Sequence, residues 1–205
     1  MNLKIEKEIL EIIKSVNGKV KLELHEPLFI GNENVYLNNC ITSGFVSTVG
    51  EYVNIFSEKL KKFTNSKYII PVVNGTSALH IALKVSGVLP DDEVLIPSLS
   101  FVATSNAVCY CNAVPHFVDV NEETLGLDAQ KLREHLLKIS KQHSSKLINK
   151  LTGRKISSIV TMHTFGHASD LTKIKKVADE FGLILIEDAA ESLGTFYKNK
   201  HTGNF

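Results

Sequence analysis

The chain has 205 residues, of which 43% are apolar and 22% are charged, a composition typical of a soluble globular protein with a hydrophobic core. Its 23 basic and 22 acidic residues give a net charge of +1, so neither nucleic acid nor an anionic membrane is expected as a partner. The cysteines Cys40, Cys109 and Cys111 lack metal-ligand spacing, and no apolar run reaches transmembrane length. We therefore expect a cytoplasmic protein with no metal site.

The N-terminal quarter combines an amphipathic helix with an irregular segment. In MNLKIEKEILEIIKSV, Ile5, Ile9 and Ile12 recur at helical spacing between Lys and Glu residues. This pattern predicts a surface helix, because a signal peptide has an uninterrupted apolar stretch. Residues 17–50 are punctuated by Gly and Pro, which indicates an extended arm. We therefore divide the chain into residues 1–50, a helix and an arm, and residues 51–205, an α/β domain.

From residue 51 onward, helix-like and strand-like patterns alternate. The predicted helices are Glu51–Phe63, one that opens at Asn74–Ser77 and stops at Gly87, Ala103–Cys111, Asp128–Ile139 and Asp170–Phe181. The predicted strands are Tyr68–Val73, in which Pro71 favours an edge or irregular position, then Glu93–Pro97, Val114–Val120, Ile156–His163 and Leu183–Glu187. The polar stretch 138–155 is predicted to be a solvated surface excursion. The alternation predicts an α/β fold with a mostly parallel sheet flanked by helices.

Ligands of open α/β sheets bind beyond the carboxyl ends of the strands, so these ends are the places to search for a site. The first end carries Asn74-Gly75-Thr76-Ser77. Glycine lets a ligand approach the backbone, and the following helix offers free N–H groups to an anion. The same residues are equally consistent with a plain turn and helix N-cap. Neither the lysine of a Walker loop nor dinucleotide-binding glycine spacing is present.

Two further strand ends carry an aromatic residue and a carboxylate. Phe101 follows the second predicted strand, where its ring would stack on a flat ligand or simply join the core. Asp188 follows the fifth, directly after an apolar run. A carboxylate there needs a cation, a metal or hydrogen-bond donors. A protonated pyridine nitrogen is one such cation and Mg²⁺ is another, and the small Ala189-Ala190 pair leaves room for a flat group. Together, the three strand ends suit pyridoxal phosphate.

The fourth strand end carries the histidine pair of HTFGH, residues 163–167. Two histidines four residues apart are compatible with a metal site. However, Gly166 lies between them and neither a cysteine nor a carboxylate ligand is nearby, which argues against zinc. The sequence favours His163 as a hydrogen-bonded or cleft-lining side chain.

Several segments resemble the sugar aminotransferases of the DegT/DnrJ/EryC1/StrS family. They are VVNGTSALHIAL, PSLSFVATSNAV, FVDVNEETLGLD, MHTFGHASD and LILIEDAAESLGTFYKNKHTGNF, and the opening LHEPLFIGNENVYLNNC resembles the family's N-terminal arm. The stretch NKLTGRKISSIVTMHTFGH is similar to the subgroup of the legionaminic acid, bacillosamine and perosamine pathways. The resemblance implies the large domain of the aspartate aminotransferase fold (fold type I), truncated, with residues 51–205 as a partial cofactor-binding domain.

The resemblance also implies roles for individual residues. Gly75 and Thr76 would hold the phosphate of the cofactor, pyridoxal 5'-phosphate, and Phe101 would stack on its ring. Asp188 would pair with the ring nitrogen, and Glu191 would lie near the phenolic oxygen. In addition, His163 would line the cleft.

No catalytic residue is expected within the chain, because the family's Schiff-base lysine lies slightly downstream of a stretch that matches the sequence up to Phe205. Lys198 and Lys200 occupy the segment that resembles an ordinary surface hairpin of the family, so neither is assigned the catalytic role. We expect the 205 residues to be an N-terminal portion of such an enzyme, inactive alone.

By this resemblance, the enzyme would transfer an amino group, typically from glutamate, to a nucleotide-linked 4-keto-6-deoxy sugar in surface-polysaccharide or nonulosonate biosynthesis. Its partners would be the nucleotide sugar, the amino donor and a second copy in a homodimer. Two alternatives stay open, a noncatalytic binding remnant and a dehydratase of the same family. A nicotinamide-dependent oxidoreductase is disfavoured because no strand is followed by Gly-x-Gly-x-x-Gly.

Overall fold

A computed structural model describes residues 3–18 and 27–205 of the chain, in two compact units, Met1–Tyr52 and Val53–Phe205. The first unit contains helix α1 (Leu3–Asn17) and helix α2 (Glu33–Ser43). The predicted N-terminal helix is present, and its residues Ile5, Ile9 and Ile12 are each more than half exposed. Within the described ranges, no helix has the length and apolar character needed to cross a bilayer.

Helix α2 corrects the prediction of an extended arm over residues 17–50. Its sequence, ENVYLNNCITS, contains neither Gly nor Pro. The punctuating residues flank the helix, and Gly44 ends it in the left-handed conformation, with φ of +76° and its N–H bonded to the carbonyl of Ile41. Glycine adopts this conformation without steric cost, so a helix ends there readily. Residues 19–26 of the predicted arm lie outside the described residues.

The second unit is built on a six-stranded sheet. Its strands are β1 (Glu93–Pro97), β2 (Val114–Val118), β3 (Ser140–His143), β4 (Lys146–Asn149), β5 (Lys155–Met162) and β6 (Ile184–Asp188). Strands β2, β1, β5 and β6 are parallel and adjacent in that order. The antiparallel hairpin β3–β4 pairs with the start of β5. A separate small hairpin consists of β7 (Phe196–Tyr197) and β8 (Lys200–His201).

Five helices accompany this sheet within the described residues of the unit. They are α3 (Glu51–Thr64), which begins just before the unit, α4 (Gly75–Val85), α5 (Val102–Tyr110), α6 (Ala129–Ile139) and α7 (Leu171–Phe181). A short 3-10 turn follows β5 at Thr164–Gly166. Two of these helices begin where the sequence predicts. Asp128 and Asp170 accept hydrogen bonds from the first free N–H groups of α6 and α7, as N-cap aspartates do.

The hydrophobic core lies on both faces of the sheet. One cluster joins α6 and α7 to one face through residues such as Leu136, Ile174 and Ile159. The other joins α4 and α5 to the opposite face through residues such as Leu83 and Val160. Neighbouring strand residues alternate between the two clusters because successive side chains of a strand point to opposite faces. The predicted mostly parallel α/β sheet, covered on both faces, is thereby confirmed.

The predicted first strand, Tyr68–Val73, is wrong. This segment belongs to none of the strands in the described part of the chain, and the side chains of Tyr68, Ile70 and Val73 are largely exposed. Pro71 has no N–H group for a ladder hydrogen bond. An apolar composition favours a strand only when a neighbouring edge is available to pair with it.

The polar stretch 138–155 contains the hairpin β3–β4, which was not predicted. Ser144 and Ser145 both have positive φ, of 46° and 62°, as a tight two-residue hairpin turn requires. Of the paired residues, Leu147 joins the core cluster and Asn149 is buried. Because Leu147 is the one apolar hairpin residue in the core cluster, the sequence has no alternating apolar pattern that would predict strands.

A buried carboxylate, Glu93, begins β1 and is only 2% exposed. It accepts hydrogen bonds from Asn149 and His116, each at 2.8 Å, and from the hydroxyl of Thr152. Burial favours a higher pKa for this carboxyl group, but the hydrogen bonds from Thr152, Asn149 and His116 outweigh it and lower the pKa below its ordinary value of 4.5. Glu93 is therefore an ionised group that joins β1, β2 and the segment after β4.

The network continues from His116 to α6. The Nε2 atoms of His116 and His135 lie 2.8 Å apart, a distance that requires one of them to carry a proton and the other to accept it. The pKa of His135 lies below its ordinary value of 6.5 because burial disfavours its charged form, and His116 and Lys138 add repulsion that outweighs the attraction of Glu93. Protonation of both rings would break the contact.

We expect the free energy of unfolding to decrease between about pH 7.5 and about pH 5.5. In this range the unfolded chain protonates His135 before the folded chain does, so acid favours unfolding. Urea unfolding at a series of pH values measures the slope, and His135→Gln should flatten it. His143→Gln, at an exposed position in β3, is the matched control. An equally steep slope in His135→Gln would contradict the role of the pair.

Candidate active site

A cavity of about 260 Å³ lies at the carboxyl edge of the parallel strands. It is enclosed by the ends of β5 and β6 and by the N-terminal turns of α4 and α5. Of the predicted site residues, the cavity brings together all but His163. The residues that line it are Gly75, Thr76, Leu79, Phe101, Ala103, Met162, Asp188, Ala190 and Glu191.

One wall of the cavity is the N-terminus of α4. Asn74 caps the helix, since its side-chain oxygen accepts the N–H of Ser77 at 2.8 Å. The N–H groups of Gly75 and Thr76 have no hydrogen-bond partner among the described residues. A Cβ atom added to Gly75 would meet no atom within 4 Å, so the backbone is open to a ligand. Free N–H groups at a helix N-terminus suit an anion such as a phosphate.

A second wall is the ring of Phe101, the residue that precedes α5. Its backbone N–H points to the sulfur of Met162 at 3.2 Å, and the hydroxyl of Ser100 does the same at 3.5 Å. These contacts attach the start of α5 to the end of β5. The Phe101 side chain is 56% exposed, so it does not belong to the core and has a free face for a flat ring.

A third wall holds Asp188, the last residue of β6. Its side chain is buried, with 5% of its surface exposed. One carboxylate oxygen accepts the hydroxyl of Thr104 at 2.7 Å, and the other accepts the N–H of Ala190 at 3.3 Å. Among the residues that the structure describes, none forms an ion pair with Asp188. A buried carboxylate without a cation is costly in a free-standing protein, so this position favours a cationic ligand atom.

Glu191 lies at the rim of the same cavity and is held by the turn after β5. The N–H of Phe165 donates to its carboxylate at 2.7 Å. Phe165 adopts a left-handed backbone, with φ of 54°. A Cβ atom on Gly166 would come within 2.9 Å of the Glu191 carbonyl oxygen, so the close approach of the two segments requires glycine.

His163 is the hydrogen-bonded side chain that the sequence offers as one alternative, and it does not have the cleft-lining position that the family resemblance implies. The ring is fully buried and is not part of the cavity wall. Its Nδ1 accepts the N–H of Ser169, so the ring proton is on Nε2 and is directed at Glu187, 3.0 Å away. Glu187 also accepts the N–H groups of Gly203 and Phe205. His163 therefore helps to hold residues 203–205 across the ends of the strands.

Lys198 and Lys200 lie in the small hairpin β7–β8, as the sequence predicts, and neither lines the cavity. Lys198 and Asn199 form the turn, with φ of 48° and 65°. The Lys198 ammonium donates to the hydroxyl of Thr172 at 2.9 Å, and that of Lys200 lies 4.6 Å from the centre of the Phe205 ring.

Sequence reasoning missed the neighbours that complete the cavity. Leu79 lies one helical turn after Gly75, and Ala103 lies in the first turn of α5. The adjacent Thr104 does not line the cavity but bonds Asp188. Met162 pairs in register with Asp188 across β5 and β6. These residues can be assigned to the cavity only from the three-dimensional structure. The positions of strand ends in the sequence predict which loops lie together, but they do not predict which side chains are in contact. The small Ala190, noted in the sequence, does line the cavity.

The side chains present fit a phosphorylated pyridine. Free N–H groups, an exposed aromatic face and a buried carboxylate without a cation match a phosphate, a ring and a protonated ring nitrogen, respectively. A parallel-sheet edge with this combination defines a pyridoxal-phosphate-binding protein.

Comparison with known proteins identifies the family to which the chain belongs. The model of the DegT/DnrJ/EryC1/StrS aminotransferase family matches residues 29–205, and the chain belongs to this family. GDP-perosamine synthase of Vibrio cholerae is 35% identical over 184 residues, which are 90% of this chain and 46% of that relative. A putative pyridoxal phosphate-dependent aminotransferase of Bacillus subtilis (strain 168), EpsN, is 33% identical over 90% of this chain and 45% of its own length.

A solved structure supports the same fold. The structure of DesI in the presence of its TDP-sugar product has a TM-score of 0.74 and 25% identity, and the match covers 90% of this chain and 43% of that one. The 205 residues thus span less than half the length of the relatives that they match. The family membership and the aminotransferase-like fold predicted from the sequence motifs are confirmed.

Proposed function

We propose that this chain provides the cofactor-binding part of a pyridoxal-phosphate-dependent aminotransferase that acts on a nucleotide-linked keto sugar. The observation that carries the proposal is the meeting of the α4 N-terminus, the Phe101 ring and the buried Asp188 carboxylate at one cavity. The names of the relatives, a GDP-perosamine synthase and a complex with a TDP-sugar product, support a nucleotide sugar as the acceptor.

Each residue has a defined task in this proposal. The N–H groups of Gly75 and Thr76 would hold the phosphate, and Phe101 would cover one face of the ring. Asp188 would keep a proton on the ring nitrogen, because a nearby negative charge favours the protonated form. When bound, pyridoxal phosphate supplies an aldehyde that accepts an amino group and a ring that withdraws electrons. Glu191 would lie at the opposite edge of the ring, near the phenolic oxygen.

The finer features of the activity belong to the same proposal. We infer glutamate as the amino donor, a 4-keto-6-deoxy sugar as the acceptor and a role in surface-polysaccharide or nonulosonate biosynthesis. A homodimer and a cytoplasmic location are part of the proposal as well. No described lysine lines the cavity, so Lys198 and Lys200 have no assigned part in the transfer.

Pyridoxal phosphate should bind the 205-residue chain saturably, and Phe101→Ala should weaken this binding about fivefold to tenfold, since a stacked aromatic contact contributes about 1 to 1.5 kcal/mol. Equilibrium dialysis measures both affinities. Phe117→Ala is the matched control, because Phe117 is similarly exposed at 57% but lies on strand β2, outside the cavity. Binding that is absent in the parent chain, or lost equally in both variants, would contradict the proposed function.

A further inference from the structure

The hydroxyl of Thr104 connects α5 to the end of β6 at the bottom of the cavity. It donates to a carboxylate oxygen of Asp188 at 2.7 Å. The backbone N–H of the same residue donates to the carbonyl of Phe101 at 3.0 Å. Thr104 therefore contacts both Phe101 and Asp188, but only the contact with Asp188 is made by its side chain, because the bond to Phe101 belongs to the backbone of the first turn of α5.

The surroundings of this contact make it strong and rigid. Thr104 is 1% exposed and Asp188 is 5% exposed, so water does not compete with the hydrogen bond. A hydrogen bond to a charged group is stronger than one between neutral groups. Because the Ala190 N–H is farther away, at 3.3 Å, Thr104 is the closest donor that fixes the carboxylate.

The hydroxyl is not needed to fill space in the core. A valine has nearly the same shape as a threonine, so an apolar residue would pack in this position if packing were the only requirement. The hydroxyl does two things that a methyl group does not do. It selects one orientation of the carboxylate, and it gives a buried carboxylate oxygen a hydrogen-bond donor.

We propose that Thr104 is a positioning residue, whose hydroxyl orients the Asp188 carboxylate toward the ring nitrogen of the bound cofactor. The inference rests on the proposed function, since it takes pyridoxal phosphate as the ligand of the cavity. Thr104 touches neither the cofactor nor the substrate in this scheme. It acts only through Asp188.

The test compares two ligands on the 205-residue chain. One is pyridoxal phosphate, and the other is deazapyridoxal phosphate, an analogue in which C–H replaces the ring nitrogen. Thr104→Val should weaken binding of pyridoxal phosphate about tenfold, the equivalent of about 1.4 kcal/mol, and leave binding of the analogue within about twofold. Thr104→Ser keeps the hydroxyl and should bind both ligands like the parent.

A matched control distinguishes positioning from general damage. Thr161 is a fully buried threonine whose hydroxyl bonds Ser169 at 3.1 Å and not a carboxylate. Thr161→Val should bind both ligands like the parent chain. Circular dichroism and thermal melting report whether each variant is folded, and Thr104→Ala replaces Thr104→Val if the latter does not fold.

The binding results distinguish failure of the positioning role of Thr104 from failure of the proposed cofactor-binding function. If the parent binds pyridoxal phosphate and Thr104→Val binds it equally well, the positioning role is overturned while the proposed function stands. Equal weakening of both ligands by Thr104→Val would also overturn it, because the loss would then not act through the ring nitrogen. If the parent chain binds neither ligand, the proposed function fails and the inference fails with it.

Discussion

Asp188→Asn should weaken binding of pyridoxal phosphate by about 100-fold, because the exchange removes the buried charge of the cavity lining that the proposed function pairs with the ring nitrogen, and a charged hydrogen bond contributes up to about 3 kcal/mol. Asparagine has nearly the same size as aspartate, so the cavity keeps its shape. Affinity for deazapyridoxal phosphate should change little, since that analogue has no ring nitrogen to protonate. Equilibrium dialysis with both ligands measures the difference.

A control variant and a melting measurement show whether the weaker binding of Asp188→Asn has another cause. Asp91→Asn is the matched control, because Asp91 is exposed and has a φ of 66°, a conformation that asparagine tolerates well. Its binding should equal that of the parent. A lower melting temperature of Asp188→Asn together with weaker binding of both ligands would indicate structural damage. Unchanged affinity for pyridoxal phosphate would refute the pairing of Asp188 with the ring nitrogen.

Glu93→Gln should lower the free energy of unfolding by about 2 to 4 kcal/mol. The Glu93 carboxylate accepts hydrogen bonds from Thr152, Asn149 and His116. A glutamine amide has only one oxygen to accept hydrogen bonds, and its NH₂ group would face one of these donors. At least one of these buried donors would then have neither water nor an acceptor as a hydrogen-bond partner, which destabilises the folded state. Urea unfolding at neutral pH measures the loss, which is a substantial fraction of the total stability of a small domain, about 5 to 15 kcal/mol.

Glu180→Gln is the control for this effect. Glu180 pairs with Arg133 on the surface, and solvent-exposed ion pairs contribute little to stability. We expect nearly parental unfolding in this variant. The stabilisation by Glu93 should also disappear as the pH falls below about 4.5, because its lowered pKa means that the folded chain releases this proton more readily than the unfolded chain. A parental midpoint in Glu93→Gln would show that the network is not stabilising.

The regular elements were predictable where local patterns and burial agree. Strands β1 and β6 are short and mostly apolar. Asp128 and Asp170 mark helix starts in both sequence and structure. Prediction failed where pairing partners matter more than composition. The apolar segment 68–73 has no partner strand among the described residues, whereas the polar hairpin β3–β4 has β5 as its partner.

The site was predictable in outline for a related reason. Gly75 begins a helix, Phe101 precedes one, Asp188 ends a strand and Glu191 follows that strand. Such positions converge at one edge of a parallel sheet. His163 occupies a similar position in the chain, yet its ring is turned into the interior by Ser169 and Glu187. The sequence pattern contains no information about that rotation, because it depends on donors from other segments.

The order of amino acids alone was sufficient to establish an α/β sheet, the strand ends that carry the chemistry and membership of an aminotransferase family, since alternation, capping and motif spacing are local properties of a chain. Folding in three dimensions decided which side chains meet. It placed the Thr104 hydroxyl on Asp188, turned His163 away from the cavity and surrounded Glu93 with three donors. Such contacts join residues dozens of positions apart, and their distances and burial arise only when the helices pack on the sheet.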